Sequence, residues 1–295
     1  MVPIFHQSTK ASELVAWCAH LIAEKAALIA GISAGGLGKR YTKQIATASP
    51  GLFILAGRSL PKLEVIRADL NATHPDIKFK VIPLDLLSFA NVRKAAATVS
   101  SWDDVTQIDL LVNNAGITEG APRIMTVSRI VHRIGHTRWA DYNFGDGEQY
   151  QRWLSYAQLK IGNALMGLLF AEKLGSRGLL SFPMCSGTSY TSLLAHGVSD
   201  LADFAADLTK TDNIYGNKWG CGMGELHFKD PDRRVNTHVF ASSDMSIVGQ
   251  NGTFMSDYHI ADQTMEQVYP WATNKINAER LWRLSEKLVG RVFSY

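Results

Sequence analysis

Tyr156 and Lys160 close the segment Tyr156-Ala-Gln-Leu-Lys160, inside a pattern from Gln149 to Leu174 that predicts a long helix. Residues four apart on a helix share a face, so the phenol and the ammonium point the same way. A neighbouring ammonium favours phenolate and is expected to draw the tyrosine pKa down from about 10. Such a tyrosine can give or take a proton at an oxygen while hydride moves to or from the attached carbon. The Tyr-x-x-x-Lys spacing is common on exposed helix faces, so its meaning depends on what stands upstream.

Upstream, residues 31–38 read Gly-Ile-Ser-Ala-Gly-Gly-Leu-Gly. The apolar run Ala26–Ala30 leads in, and a helical pattern from Leu37 to Ala48 follows. Strand, glycine turn and helix together present backbone N–H groups and a helix N-terminus to a pyrophosphate. Gly31 can make the tight turn, Gly36 removes a side chain where backbone must approach phosphate, and Gly38 lets helix and strand pack closely. Gly51–Gly57 reads as a buried second strand. Arg58 follows it, about 20 residues past the turn, where an acid would bind the ribose of NAD and an arginine can pair with the 2′-phosphate of NADP. With Arg58 there and no acid, NADP is expected. Lys62–Ala72 reads as a helix and Phe79–Leu84 as a third strand ending at Asp85. That carboxylate can accept from an adenine amino group or cap the next helix, Phe89–Val99. Ile108–Val112 is the fourth strand, and Asn113-Asn114-Ala115-Gly116 follows. The β-α-β-α-β-α-β order predicts an α/β, doubly wound, mostly parallel sheet in three layers, a single Rossmann-type domain over residues 1–295.

Together these features resemble the short-chain dehydrogenase/reductase family, and most closely its fungal and retinol-dehydrogenase-like branch. The resemblance is carried by the glycine turn, Ala-Gly-Arg-Ser at 56–59, Leu84-Asp85-Leu86, Leu-Val-Asn-Asn-Ala-Gly at 111–116, and Tyr156 with Lys160. The insert Trp139–Phe144 and the ending Pro270-Trp-Ala-Thr with Leu281–Gly290 belong to the same branch. The resemblance implies NADP-dependent interconversion of a carbonyl and an alcohol on a lipophilic small molecule, of the kind met in secondary metabolism. It implies Tyr156 as proton donor, and Lys160 as the group that lowers its pKa and holds the nicotinamide ribose. It places Asn114 beside the cofactor, adds Leu37 to the glycines that line it, and matches Thr191 to the threonine that holds the nicotinamide carboxamide.

Three departures from the family pattern stand out. The fifth-strand segment Ile124–Arg129 carries Arg129 where the catalytic serine is usual; Ser128 survives one residue earlier, where strand alternation turns it to the other side. The His-Pro-Gly that usually follows the sixth strand reads Cys185-Ser186-Gly187, and Cys185 is expected to be a packed, inert thiol. Between Gly116 and Pro122 only residues 117–121 remain, whereas a parallel crossover needs a dozen or more. Five extended residues reach about 17 Å. Ile124–Ser128 is therefore expected either to turn back as an antiparallel hairpin or to follow a linker along an uncovered, association-prone face. The chain reads as a shortened member that lacks the crossover helix after the fourth strand, by true loss or a misassigned exon. The oligomeric state stays open, because that helix supplies much of the family's dimer contact.

Composition narrows the field further. The 295 residues are 46% hydrophobic, enough for a sizeable core, and the net charge of +3 comes from scattered Lys and Arg, which argues against a nucleic-acid partner. Cys18, Cys185 and Cys221 have no paired spacing and the nine histidines no ligand spacing, so neither disulfides nor a metal site are expected. No apolar stretch is long enough to span a membrane, and a cytoplasmic location fits. An N-terminal helix is expected around Ser12–Lys25 with Ser12 as cap, a sixth strand at Gly178–Met184, a substrate lid over 188–250, a short strand at Thr253–Tyr258, and a helix at Asn274–Val289 with Leu281, Leu284 and Leu288 on one stripe. The competing reading is a catalytically impaired nucleotide-binding or partner-binding protein, favoured by Arg129 and the missing helix.

Overall fold

The computed structural model describes residues 9–86, 88–113, 123–187, 235–262 and 268–294, with a few positions between 206 and 233. Its frame is one sheet of order β3-β2-β1-β4-β5-β6-β7-β8. The strands are β1 (Ala26–Ala30), β2 (Leu52–Gly57), β3 (Lys78–Pro83), β4 (Leu110–Asn113), β5 (Arg123–Val127), β6 (Leu180–Cys185), β7 (Met255–Ser256) and β8 (His259–Ile260). All neighbours run parallel except the β7–β8 pair.

The helices are α1 (Ala11–Ile22), α2 (Leu37–Ala46), α3 (Leu60–Thr73), α4 (Phe89–Ser100), α5 (Arg152–Leu174), α6 (Asn236–Ser243), α7 (Pro270–Thr273) and α8 (Lys275–Val289). Alternation along β2 explains the three layers. Phe53 and Leu55 join α1, α2, α3 and α6 in one core, while Ile54 and Ala56 join Ala95 and Val99 of α4 in another. A strand covered on both faces must be apolar at every position, as Leu-Phe-Ile-Leu-Ala is. On the α4 side, α5 packs on β5 and β6 and carries α8 on its outer flank, through Ile161, Leu165 and Leu169 against Ala278 and Trp282.

The fifth strand excludes the first of the two expected courses. It is not an antiparallel return: β5 pairs parallel with β4, Leu110 opposite Arg123, and parallel with β6 along its whole length. The return is feasible because β4 is only four residues long, a rise of about 13 Å at about 3.3 Å per residue. The connecting residues 114–122 lie outside the described residues. Arg123 anchors the start of β5: it is buried, donates from Nη1 to the Ala241 carbonyl of α6 at 3.2 Å, and sits over the Phe182 ring.

Smaller differences have local causes. Ser12 is not the cap of α1; the helix starts at Ala11 after Lys10, with no side-chain cap. In α8 the buried positions are Ala278 and Trp282, Leu281 packs partly buried beside them and Leu288 is half exposed, so only the start of the leucine stripe joins the packed face. Of the stretch read as a lid, 236–243 is a core helix with every residue buried. Most of 188–234, with Thr191 and Cys221, lies outside the described residues.

Candidate active site

The glycine turn closes over the end of β1. Gly31 takes φ 78 and Gly35 φ 72, left-handed conformations that a side chain disfavours. Gly35 is a requirement the sequence reading missed, although the doubled glycine at 35–36 was its signal. A Cβ on Gly38 would lie 3.0 Å from the Gly31 carbonyl oxygen and 3.3 Å from Ile32 Cα, so close helix–strand packing does demand glycine there. A Cβ on Gly36 would collide with the Ser33 side chain. Gly36 occupies the N-cap of α2, with no side-chain cap and no acid in the first turn. The N-terminal N–H groups of α2, starting at Leu37, therefore keep their donors for an anion. These features fit a dinucleotide pyrophosphate.

Beyond β2, Arg58 is exposed. Of the two roles open to Asp85, capping is taken by another residue: Ser88 accepts from the Asn91 N–H at 3.2 Å and caps α4. Asp85 is half-buried at the end of β3, its N–H bonded to Asn91 Oδ1 at 2.6 Å. Asn114 lies outside the described residues.

Helix α5 begins where the Gln151 side chain accepts from the Leu154 N–H at 2.7 Å. Gln158 ties the preceding insert to it, accepting from Arg138 N and donating to the Tyr142 carbonyl, each at 2.9 Å. Tyr156 and Lys160 share one face, with Lys160 Nζ 5.7 Å from the Tyr156 ring centre. The ammonium, however, donates to the Val127 carbonyl at 3.1 Å, and Asn163 Nδ2 donates to the same oxygen at 2.9 Å. Asn163 is a second contributor the sequence reading missed, three residues past Lys160 on the face that meets β5.

The electrostatics differ from the expectation. The Tyr156 pKa is not lowered by Lys160; burial pushes it above its ordinary value, opposed in part by the charge of Arg129 and its hydrogen bond to the hydroxyl. Lys160 drops to about 8, through burial first and then repulsion from Arg129. The group that favours phenolate is thus Arg129, from the position where the family carries serine. Ser128 is fully buried and its hydroxyl donates to the Lys160 carbonyl at 2.8 Å, which directs its proton into α5. Cys185, buried at the end of β6, is close enough to act electrostatically on both Tyr156 and Lys160.

A family model described as short chain dehydrogenase matches residues 25–136. The oxidoreductase calI of Penicillium decumbens is 24% identical, over 90% of this chain and 87% of its own length. Human retinol dehydrogenase 11 is 22% identical, over 86% of this chain and 83% of its own length. Among solved structures, the Pseudomonas aeruginosa RhlG/NADP active-site complex superposes with a TM-score of 0.57 at 14% identity, covering 82% of this chain and 99% of that one. A short chain dehydrogenase from Salmonella enterica gives a TM-score of 0.56 at 16% identity, covering 80% and 96%. With the glycine turn, the parallel sheet and the Tyr–Lys face already in place, the chain is similar to short-chain dehydrogenases in sequence over residues 25–136 and shares their fold over about four-fifths of its length.

Proposed function

We propose that the protein is an NADP-dependent dehydrogenase/reductase that interconverts a carbonyl and an alcohol on a lipophilic small molecule. The observation that carries this reading is a half-buried phenol and ammonium on one face of α5, beside β5 and β6 of a sheet whose first strand ends in an uncapped glycine turn. Bound there, a reduced nicotinamide would supply hydride to the carbonyl carbon. Tyr156, a phenol at neutral pH, would give its proton to the carbonyl oxygen in reduction and take it back in oxidation. Lys160 uses one of its three donors on Val127 and keeps two for ribose hydroxyls. Arg58, exposed after β2 with no acid beside it in sequence, supports NADP over NAD. The retinol dehydrogenases among the relatives support a lipophilic substrate.

The test is Tyr156→Phe. NADPH consumption with a carbonyl panel should fall by about 10²–10⁴-fold, while NADPH fluorescence titration still reports binding. The second reading, a nucleotide-binding protein without turnover, draws on Arg129, whose charge acts on the Tyr156 phenol. NADPH binding by the wild-type protein with no turnover of any carbonyl would favour it and overturn the first.

A further inference from the structure

We propose that the exposed face of α8 docks on an anionic lipid surface, with Arg280, Arg283 and Lys287 on the headgroups and Leu288 and Val292 entering the boundary of the bilayer. The inference stands apart from the reaction proposed above.

The excess charge of the chain is concentrated here. Residues 275–292 hold Lys275, Arg280, Arg283, Lys287 and Arg291 against Glu279 and Glu286. Their net charge equals the +3 of the whole chain, so the remaining residues balance to zero. The helix then sorts these groups. At about 100° per residue, Ile276, Arg280, Arg283 and Lys287 fall within about 60° of one another, away from the side where Ala278 and Trp282 pack on α5. Every exposed residue from 275 to 292 is a cation, an aliphatic or Gly290. The two acids are half-buried and engaged. Glu279 is shared by Lys173 and Arg283, and Glu286 accepts from Trp282 Nε1 at 2.9 Å and from the Phe293 N–H at 2.8 Å.

Two features set this face apart from an ordinary solvated one. The helix dipole accounts for cations in a last turn, but Arg280 and Arg283 lie upstream of it. Large aliphatics also stand in water beside the charges: Ile276 is 70% exposed, Leu288 50% and Val292 79%. The end of the helix is held in shape. Gly290 takes φ 69, the Arg291 N–H bonds back to the Glu286 carbonyl at 3.1 Å, and Phe293 packs on the Trp282 ring. Lys287, Leu288, Arg291 and Val292 thus form a fixed tip. Because α8 rides on the outer flank of α5, its free side looks away from the sheet. A groove of about 460 Å³ between Lys275, Ile276, Glu279, Arg280 and Arg283 adds room for a headgroup phosphate.

Cations alone would suit any polyanion, duplex nucleic acid included. Aliphatics set among cations select a bilayer, which is charged at its headgroups and apolar just beneath them. The helix would lie on that surface rather than cross it: no helix among the described residues is long and apolar enough to span a membrane.

Vesicle sedimentation of the full chain tests this, with phosphatidylcholine alone against an equal mixture of phosphatidylcholine and phosphatidylserine. The wild-type protein should pellet with the mixed vesicles and not with phosphatidylcholine alone, and added salt should weaken the binding. The triple variant Arg280→Gln, Arg283→Gln, Lys287→Gln should lose about a hundredfold in vesicle affinity. The pair Arg280→Lys, Arg283→Lys keeps the charge and should bind as the wild type does, which guards against a misfolded glutamine variant. Leu288→Ser with Val292→Ser should lose about tenfold. Duplex DNA is the control polyanion. DNA binding as tight as vesicle binding, or an unchanged vesicle affinity of the serine variant, would make the face a general polyanion site and overturn the lipid assignment. A wild-type protein that stays in the supernatant with the mixed vesicles overturns the docking surface altogether.

Discussion

Burial and a guanidinium pull on the Tyr156 hydroxyl in opposite directions, and burial wins, leaving a phenol rather than a phenolate. The same two influences act together on Lys160, because both disfavour its charged form, and they bring it to about 8. The sign follows directly. Lys160 is an ammonium below about pH 8 and loses its proton as the pH climbs through that value, whereas Tyr156 holds its proton to higher pH. The first alkaline loss of reductase activity should therefore belong to Lys160. The measurement is kcat/KM for NADPH-dependent reduction between pH 6 and 10, in the wild type and in Lys160→Arg, whose charge persists throughout. The wild-type rate should fall above about pH 8 and the variant should lack that fall. An unchanged alkaline limb in the variant would assign it to another group. At this scale the sequence revealed which residues meet but not their charges: Tyr156 and Lys160 share a face by spacing alone, while the shifts come from neighbours on β5 and β6 that no spacing reports.

Helix α5 positions Tyr156, Lys160 and Asn163, and its distance from the sheet is set by a glycine. A Cβ on Gly167 would collide with Thr126 Oγ1 and lie 3.0 Å and 3.1 Å from the Pro183 ring atoms. Gly162, on the same helix, has nothing within 4 Å of its Cβ position. The two glycines should therefore respond oppositely to substitution. Gly162→Ala should stabilise by about 0.5–1 kcal/mol through helix propensity. Gly167→Leu should destabilise by about 1–3 kcal/mol through overpacking and lower kcat as the helix lifts from β5. Urea midpoints of the two variants check this; similar values would mean that Gly167 does not set the helix position. The elements themselves were largely legible, because β2 reads as a fully buried run and the period of α5 is visible over six turns. The partners were less so. Whether β5 returns parallel depends on β4 being short and on Arg123 docking against α6, more than a hundred residues later, and local pattern carries neither fact. Ser88 rather than Asp85 caps α4 because two eligible side chains compete within one turn, and only backbone geometry selects between them.

Across the whole molecule, the sheet order explains why a ligand at the glycine turn should be felt globally. From β1 the chain winds outward through β2 to β3, then crosses back to β4 on the other side of β1. The crevice at the C-terminal end of β1 is thus the switch point where such sheets take nucleotides. Its flanks belong to different layers: Tyr41 of α2 and Val239 of α6 lie in the core under one face of β1 and β4, while Ala95 and Val99 of α4 pack with Ala30 of β1 on the other. A ligand bridging these layers binds the native chain and not the unfolded one, so it must raise the unfolding midpoint. At a hundredfold excess over its Kd, NADPH should contribute about 2.7 kcal/mol, or about 5–10 °C for a chain of this size. NADH at the same concentration should give a smaller shift, because Arg58 would have no 2′-phosphate to pair with. Arg58→Glu should invert that order, since a carboxylate accepts from the ribose hydroxyl of NAD and repels the phosphate of NADP. Thermal scans of both proteins with each cofactor decide the matter. Equal shifts for the two cofactors in the wild type would remove Arg58 from the site, and no shift with either would mean that the crevice above Gly36 does not take a dinucleotide.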